Sequence, residues 1–479
     1  MNTLLSHFVG GAARVPSGTE VLEHRNPSDV REVASRAPIG DAADMAAAVD
    51  AATAAFATWR RTTGPSRAGL LHRWGEAIAA RAEPLAQAIA REVGKPIAEA
   101  RGEVGRAVVI CRYYSGEAVR EIGEVIPGQG ADVLQFTLRD PVGPVALITP
   151  WNFPVAIPLW KAAPAIAFGN TVVLKPSEMS SGVAALLAET AVEAGVPAGV
   201  FNVVYGNGTT GAHLVEHAGI RAISFTGSAA VGARVQAAAA ARNVRCQTEM
   251  GGKNVVIVAA DADLDRAATL TAGGAFRFAG QKCTASSRVI VEATVVEPFL
   301  ARLDAAARTL RLGPVTDPEC AVGPLVSATA RTRVLQAIGS SGLAADLGGL
   351  TPEGGDWDHG NWLAPQCFRL TDPGNRLARE ELFAPVLVAL EASDLDHAIT
   401  MANDTPYGLS ASLFTSNIHA AFEYLRRIEV GLVRVNGDTT GVDLHAPFGG
   451  LKGSSSGSRE QGRAAREFYT EIRTVQIHA

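Results

Sequence analysis

The chain has few charged and few aromatic residues, and neither sign of charge dominates. Of 479 residues, 19% are charged and 6% are aromatic, and 43 basic against 48 acidic side chains leave a net charge of −5. A nucleic-acid-binding protein needs a basic face, so this balance argues against a nucleic-acid partner. The length exceeds what one ordinary core fills, and about two or three domains are expected.

Cysteine is also scarce, and its spacing shows no pattern. The five cysteines share no CxxC motif: Cys111, Cys246, Cys283, Cys320 and Cys367. This favours reduced thiols in the cytoplasm over a disulfide framework or a zinc site. His213 and His217 are four residues apart on a predicted helix, but no third ligand accompanies them, so no metal site is predicted.

Segments that would target or anchor the chain are missing as well. Residues 1–18 contain neither a basic region nor an apolar core, so no secretory signal is predicted. Residues 141–160 are uncharged and long enough to cross a bilayer, but their five prolines would break any helix. We therefore predict a buried strand and turn there, and no membrane association.

Short apolar strands alternate with helices over most of the chain. Residues 41–61 and about 66–122 are predicted to be helical, and residues 123–140 to form an extended ribbon. From Val145 onward, strands and helices alternate in two successive units, and the second unit contains Cys283. This alternation predicts an α/β fold with parallel, doubly wound sheets, in which residues 339–361 form a Gly-rich loop.

Cys283 lies in the run GQKCTASSR, between a Gly/Gln turn and a β-branched strand. A thiol becomes a strong nucleophile as the thiolate, and the adjacent Lys282 is a cation that can favour that form. The alternative is that Cys283 is a small buried core residue, which is the commoner role of a free cysteine.

Two glycine-containing turns follow predicted strands. GNGTTG at 206–211 matches GxGxxG, but the Rossmann fingerprint also requires an acid about twenty residues later, and none is present; a strand-to-helix turn fits better. At FTGS, residues 225–228, the free N–H groups and dipole of the next helix favour a phosphate. Alternatively, Ser228 simply caps that helix.

Several polar residues border the predicted strands. Lys175 and Glu178, in KPSE, follow a strand at the edge where open sheets bind ligands, and they can bond ribose hydroxyls; a solvated ion pair is the alternative. Asn152, in TPWNFP, places an amide in an apolar run, where its NH₂ group can stabilise an oxyanion. Glu249, in EMGGKN, can serve as a general base.

Seven motifs in order resemble the aldehyde dehydrogenase superfamily along essentially the whole chain: TPWNFP, KPSE, FTGS, EMGGKN, GQKCTASSR, EELFAPV and PFGGLKGS. The resemblance implies oxidation of an aldehyde to a carboxylic acid with NAD or NADP. It implies that Cys283 forms a thiohemiacetal whose oxyanion is held by Asn152 and the Cys283 N–H. Loss of hydride then leaves a thioester, which is hydrolysed by water that Glu249 activates.

The resemblance also implies a cofactor site. Its residues are Trp151, Lys175, Ser177, Glu178, Gly227, Ser228, Met250, Glu381 and Phe383. Ala384 departs from the family, which usually has glycine at that position. NAD is preferred over NADP because the carboxylate of Glu178 repels a 2′-phosphate.

The implied architecture has two doubly wound parallel-sheet domains and a β-arm. Residues 1–122 and 141–250 form the dinucleotide-binding domain, residues 251–452 the catalytic domain, and residues 123–140 and 453–479 the oligomerisation arm and C-terminal segment. In this family the arm pairs edge strands between subunits, which implies a homodimer or homotetramer.

The stretch 453–462 is one residue longer than usual in the family and is similar to the branch that oxidises α-ketoglutaric semialdehyde (2,5-dioxopentanoate). Arg277 and Lys282 add cations near the implied substrate tunnel, which suits an acidic substrate. Trp160, by contrast, stands where several semialdehyde enzymes carry arginine. The candidate substrate residues are Phe153, Trp160, Arg277, Lys282, Thr284 and Phe448.

Other functions remain open at this stage. An aldehyde dehydrogenase for uncharged aliphatic or aromatic aldehydes is the first alternative. A CoA-acylating relative need not keep Glu249, and a non-catalytic binding protein would be expected to lose Cys283 or Glu249, so both residues argue for hydrolysis. A cysteine hydrolase would need a histidine base, and no histidine lies in a comparable motif.

Overall fold

The structure is a computed structural model that describes residues 4–478. Its strands are β1 (His7–Val9), β2 (Ala12–Arg14), β3 (Val21–Arg25), β4 (Val33–Pro38), β5 (Val125–Ile126), β6 (Val133–Pro141), β7 (Pro144–Ile148), β8 (Thr171–Lys175), β9 (Phe201–Val203), β10 (Ala222–Thr226), β11 (Arg245–Glu249), β12 (Val255–Val258), β13 (Arg288–Glu292), β14 (Leu347–Gly348), β15 (Gln366–Leu370), β16 (Val386–Ala392), β17 (Tyr407–Gly408), β18 (Ser410–Phe414), β19 (Leu432–Val435), β20 (Leu451–Lys452), β21 (Ser455–Ser456) and β22 (Thr470–His478).

The α-helices are α1 (Ala42–Trp59), α2 (Gly64–Ala80), α3 (Ala82–Val93), α4 (Ile97–Glu117), α5 (Ala156–Ala167), α6 (Ser181–Glu193), α7 (Gly208–Glu216), α8 (Ala229–Ala241), α9 (Leu264–Phe276), α10 (Val296–Arg308), α11 (Ala328–Ser341), α12 (Arg376–Arg379), α13 (Leu395–Asn403), α14 (Ile418–Arg427) and α15 (Ala465–Tyr469). No helix within residues 4–478 is both long and apolar enough to cross a membrane.

The first large sheet has the strand order β2-β1-β9-β8-β7-β10-β11-β21. Its five central strands are parallel, whereas β1 and β21 join antiparallel at the two sides. Ile148 is in register with both Lys175 and Phe225, and Thr226 is in register with Glu249. The carboxyl ends of four neighbouring strands therefore meet along one edge of the sheet.

Alternation of side chains buries both faces of this sheet. Ala146 and Val173 face a core formed with α1, α7 and α8. Leu147, Val172 and Leu174 face the opposite core, formed with α2 to α6. The sheet is thus doubly wound, as the sequence predicts.

The second large sheet has the order β14-β15-β16-β13-β12-β18-β19, and all of its neighbours are parallel except β14 and β15. Val256 and Val289 pack against α9 and α10 on one face, and Val255 and Ile290 pack against a second core on the other. The prediction of two doubly wound parallel sheets is confirmed.

A third sheet, in the order β22-β6-β5, forms an arm. β22 pairs antiparallel with β6 from Thr470 opposite Pro141 to His478 opposite Val133. Ile472 and Ile477 of this arm are exposed. The extended ribbon predicted at 123–140 is present and pairs with the C-terminal strand.

Three sequence predictions differ from the structure. Within residues 141–160, predicted to be a buried strand and turn, helix α5 begins at Ala156 and accommodates Pro158 in its first turn, where a proline costs no helical hydrogen bond. Residues 339–361 are not one loop, because α11 continues to Ser341 and β14 adds an antiparallel edge strand. Ser455 and Ser456, predicted to belong with the arm and C-terminal segment, pair with the end of β11 and complete the first sheet. The last two differences depend on pairing between distant segments, which local composition does not report.

Candidate active site

The carboxyl edge of the first sheet borders a cavity of about 890 Å³. Helices α7 and α8 close its outer side. The sequence-predicted residues that line it are Trp151, Lys175, Ser177, Glu178, Gly227 and Ser228. Parallel register brings these residues together from three different strand ends, as expected for a ligand site in an open α/β sheet.

Lys175 and Glu178 form a loose pair at the cavity wall. Lys175 Nζ lies 3.7 Å from Glu178 Oε2 and donates to the carbonyl of Pro176 at 3.0 Å. Burial lowers the pKa of Lys175, while Glu178 is partly exposed. The ammonium retains an unused donor, so the pair can bind a polyhydroxylated ligand.

The cavity contains polar groups that lack partners. Ser228 occupies the N-cap position of α8, but its side chain makes no capping hydrogen bond, so the simple capping role considered for it is wrong. Within residues 4–478, the buried hydroxyls of Thr149 and Thr226 also have no hydrogen-bond partner. Unpaired hydroxyls beside the free N–H groups of a helix N-terminus fit an anionic, oxygen-rich ligand.

The GNGTTG turn also reaches the cavity. Asn207 caps α7 by accepting from Thr209 N at 2.9 Å, as a plain strand-to-helix turn would. Gly208 and Gly211 nevertheless line the cavity, together with Val215 of α7 and Val231 of α8. The sequence identified the conformation of this turn, and the structure adds its proximity to the KPSE pair.

Cys283 follows a backbone turn of unusual conformation. Phe278, Ala279 and Gly280 have successive φ values of 54°, 52° and 65°, in the left-handed region that costs energy for residues other than glycine. A Cβ at Gly280 would lie 2.4 Å from the carbonyl oxygen of Ala384, so glycine is required there. The turn ends the helical segment after α9 and presents Cys283 on a loop.

Asn254 fixes the Cys283 loop by hydrogen bonds, a role that the sequence did not indicate. Its side-chain amide donates to the carbonyls of Cys283 and Ala285, both at 2.8 Å, and its Oδ1 accepts from Ser410 N at 3.0 Å. Asn254 is buried and ends the EMGGKN motif. A buried amide at a strand start was the available signal.

The thiol of Cys283 lies in an apolar and acidic environment. It packs beside Leu409, Leu432 and Phe448. Burial raises its pKa to about 12, and the carboxylates of Glu381 and Glu249 contribute in the same direction.

Lys282, the cation next to Cys283 in the sequence, forms an ion pair. Its ammonium pairs with Glu99 Oε2 at 2.8 Å, on helix α4. This ion pair offsets the charge of Lys282, and its predicted roles toward the thiolate and toward an acidic substrate stay predictions. The ion pair with Glu99 could not be read from the sequence near Cys283.

Asn152 is buried beside the Cys283 loop. Its side-chain Nδ2 donates to the carbonyl of Gln281 at 3.1 Å, two residues before the thiol. Its own carbonyl accepts from Lys95 Nζ at 2.6 Å, and Lys95 lies 3.9 Å from the ring centroid of Phe153. Lys95 also pairs with the buried carboxylate of Glu103, so an ion pair fixes the TPWNFP loop.

Glu249 ends β11 and is almost fully buried. Its Oε2 accepts from Ser455 Oγ, whereas Oε1 has no partner within residues 4–478. Burial and then the negative charge of Glu460 raise its pKa well above the ordinary value. A Cβ at Gly449 would lie 2.8 Å from Glu249 Oε1, so glycine leaves room at this oxygen.

Glu460 joins several parts of the site, and sequence reasoning missed it. Its carboxylate accepts from Lys161 Nζ and, at 2.8 Å, from Trp160 Nε1. Its backbone exchanges hydrogen bonds of 2.7 and 2.8 Å with Phe448. The rings of Trp160 and Phe448 lie 5.5 Å apart, so two predicted substrate residues meet beside Cys283.

Glu381 lies close to the EMGGKN motif. Its Oε1 accepts from Gly252 N at 3.0 Å, and a Cβ at Gly251 would lie 1.8 Å from its Oε2. Burial raises the pKa of Glu381 to about 7 and lowers that of Lys253 to about 7. Phe383, with φ of 55°, stacks edge-on with Trp151 at 5.6 Å.

Three other predicted residues do not line the cavity at the edge of the first sheet. Met250 packs into the core against Gly232 and is not among the residues that line the 890 Å³ cavity. Arg277 is exposed. Thr284 is buried, and its carbonyl accepts from Thr439. Their functional roles stay predictions.

Comparison with known proteins agrees with this geometry. The model of the aldehyde dehydrogenase family matches residues 15–475. The chain is 42% identical to the alpha-ketoglutaric semialdehyde dehydrogenase of Bacillus subtilis over 99% of this chain and 98% of that protein. It is 43% identical to the alpha-ketoglutarate semialdehyde dehydrogenase of Haloferax volcanii over 98% of both. The crystal structure of an NAD-dependent aldehyde dehydrogenase from Sinorhizobium meliloti superimposes with a TM-score of 0.95 at 37% identity, covering 99% of this chain and 95% of that one.

Proposed function

Because this chain belongs to the aldehyde dehydrogenase family, we propose that it oxidises α-ketoglutaric semialdehyde to the dicarboxylic acid, with NAD as the preferred cofactor. The observation that carries the proposal is the convergence at Cys283. The Asn152 amide bonds the same loop, and Glu249 is close enough to raise the pKa of the thiol.

In the first step the Cys283 sulfur, as thiolate, attacks the aldehyde carbon and forms a thiohemiacetal. The carbonyl oxygen becomes an oxyanion, for which the buried Asn152 amide and the Cys283 N–H are the donors. The ion pair of Lys95 with Glu103 restrains Asn152, so this donor is oriented before the aldehyde arrives.

The cofactor residues fit a nicotinamide dinucleotide. Lys175 and Glu178 would hold ribose hydroxyls, and the N-terminus of α8 with the unpaired hydroxyl of Thr226 would hold the pyrophosphate. Glu381 and Phe383 border the Cys283 loop, where they would hold the nicotinamide riboside. When bound, the nicotinamide supplies the hydride acceptor, and oxidation leaves a thioester on Cys283.

Glu249 would complete the reaction as general base. Its unpaired Oε1 would take a proton from water, the hydroxide would add to the thioester, and the Cys283 thiolate would leave as the acid is formed. Because burial and Glu460 raise the pKa of Glu249, this step accelerates as the pH rises.

Two observations favour α-ketoglutaric semialdehyde over uncharged aldehydes. Relatives that carry this activity in their names are 42% and 43% identical over almost the entire chain. The 453–462 stretch supports the same assignment, since it supplies both Ser455 and Glu460 to the site. NAD is preferred over NADP because the partly exposed carboxylate of Glu178 at the cavity wall would repel a 2′-phosphate.

We extend the proposal to organisation and location. Residues 1–122 and 141–250 bind the dinucleotide, residues 251–452 carry the nucleophile, and the arm joins subunits in a homodimer or homotetramer. The exposed Ile472 and Ile477 on the arm support this association. A cytoplasmic location is proposed because the cysteines are free thiols within residues 4–478.

The direct test is NADH formation from a panel that includes α-ketoglutaric semialdehyde, succinic semialdehyde and uncharged aldehydes. Cys283→Ala should lower turnover by at least about 10⁴-fold, because the covalent pathway is lost. The matched control is Cys320→Ser, which keeps the two backbone hydrogen bonds of a thiol outside the site. Turnover by Cys283→Ala near the wild-type rate would contradict the mechanism.

A further inference from the structure

One face of helix α4 contacts residues of the active site. Glu99, Glu103 and Arg106 are spaced four and three residues apart, so they lie on the same side of the helix. Glu99 pairs with Lys282, the neighbour of Cys283, and Glu103 pairs with Lys95, which holds Asn152. Arg106 is the next residue on this face.

Arg106 is a half-buried cation without an acidic partner. Its Nη2 donates to the carbonyl of Val442 and, at 3.3 Å, to Gln461 Oε1. Within residues 4–478 it forms no salt bridge, even with nearby Asp443. A desolvated guanidinium normally pairs with a carboxylate or phosphate, and two of its nitrogens make no hydrogen bond to the protein here.

Gln461 provides a second unused donor next to Arg106. It is only 1% exposed, yet its Nε2 has no hydrogen-bond partner among the described residues. Its φ of 60° lies in the left-handed region, which is costly for a residue with a side chain. A buried, unsatisfied amide in a strained conformation indicates a ligand more than a packing role.

Both residues are connected to the walls around the thiol. Val442, whose carbonyl anchors Arg106, packs in the apolar cluster that contains Cys283 and Phe448. Gln461 directly follows Glu460, which bonds the Trp160 indole. Both donors are therefore tied to segments that form the apolar cluster at Cys283, against which an aldehyde chain would lie.

We propose that Arg106 and Gln461 bind the carboxylate of the substrate while its aldehyde carbon faces Cys283. A guanidinium and an amide NH₂ together match the two oxygens of a carboxylate. This inference rests on the proposed function and names the residues that select an acidic aldehyde. Arg106 and Gln461 thus take the carboxylate-binding role that was predicted for Lys282, whose charge is offset by Glu99.

The test compares two four-carbon aldehydes, succinic semialdehyde and butanal, which differ by the carboxylate. In Arg106→Met, the ratio of kcat/KM for the acid to that for butanal should fall about 10- to 100-fold, mainly through KM. The ratio for Arg106→Lys should lie between those of the wild type and Arg106→Met, because lysine keeps the charge but loses the planar guanidinium. Gln461→Leu should lower the same ratio by a smaller factor.

The matched control is Arg101→Met on the same helix, where Arg101 pairs with Glu83 at the surface. It should leave the ratio unchanged. Equal losses of kcat/KM for both aldehydes in Arg106→Met would show that Arg106 only anchors the Val442 loop. No loss for either aldehyde would exclude carboxylate binding. Either result overturns the inference.

A measurement on the wild-type enzyme tests the inference if Arg106→Met is insoluble. The inference predicts that glutarate competes with succinic semialdehyde and that its inhibition constant rises with ionic strength; absence of competition contradicts it. The substrate proposal fails separately, if wild-type enzyme shows no preference for α-ketoglutaric semialdehyde over uncharged aldehydes.

Discussion

Burial raises the pKa of Glu249, and the buried carboxylate of Glu460 raises it further, although Lys161 is the direct ion-pair partner of Glu460. Two acids in a region of low dielectric disfavour each other's ionised form. The ionisation of the proposed base is thus controlled by a residue that also bonds the Trp160 indole.

Glu460→Gln should shift the rising limb of the pH–rate profile to lower pH. Removing the negative charge leaves Lys161 unneutralised, and both effects favour the ionised form of Glu249. The measurement is the rate of thioester hydrolysis in single turnover between pH 5.5 and pH 9, wherever protein remains folded by circular dichroism. A shift to higher pH would contradict the coupling.

Ser455→Ala should shift the rising limb of the pH–rate profile to higher pH. The Ser455 hydroxyl donates to Glu249 Oε2 and stabilises the carboxylate, so its loss raises the pKa of Glu249 further. At neutral pH, hydrolysis should slow by about 3- to 10-fold, because one hydrogen bond to a charged group is lost. Ser456→Ala, on the same strand but bonded to Thr248 and Gln236, is the control.

Alkylation of Cys283 should report its raised pKa directly. In cofactor-free enzyme, the rate with iodoacetamide should increase about tenfold per pH unit from pH 7 to pH 10, since the pKa of about 12 lies above this range. Mass spectrometry locates the label. A plateau below pH 9 would show that the thiolate is stabilised in a way the structure does not contain.

Gly251→Ala should weaken cofactor use without unfolding the protein. The new Cβ would overlap Glu381 Oε2 and displace the carboxylate, and a displaced binding group commonly costs about tenfold or more. We expect a raised KM for NAD. Gly102→Ala on α4, where nothing lies within 4 Å, is the control and should instead stabilise the helix by about 0.5–1 kcal/mol.

Lys95→Met should destabilise the fold strongly. It leaves the carboxylate of Glu103 buried without its cation, a loss that typically amounts to about 3–5 kcal/mol. Lys95→Met combined with Glu103→Gln should recover part of that loss, because glutamine removes the unpaired charge and keeps an oxygen for the N–H groups of Val155 and Ala156. Thermal unfolding of the wild type, both single variants and the double variant measures these effects, and additive losses would contradict a paired interaction.

Site residues could be predicted from the sequence where their position depends on the local strand or turn that contains them. The strand before Lys175 and the turn at 225–228 predicted groups at a sheet edge, and parallel register brings them to one cavity. Partners contributed by distant segments were missed. Glu99 neutralises Lys282 from helix α4, and Glu460 reaches Trp160 from near the C-terminus, and neither contact has a local signature.

Residues 455–478 have a consequence for synthesis of the protein. They provide the hydroxyl that bonds Glu249, the carboxylate that bonds Trp160 and the strand that pairs with β6. A ribosome-bound chain that ends before residue 455 already contains Cys283 but lacks the partners of its proposed base. The proposed nucleophile is thus synthesised before the residues that bond its proposed base.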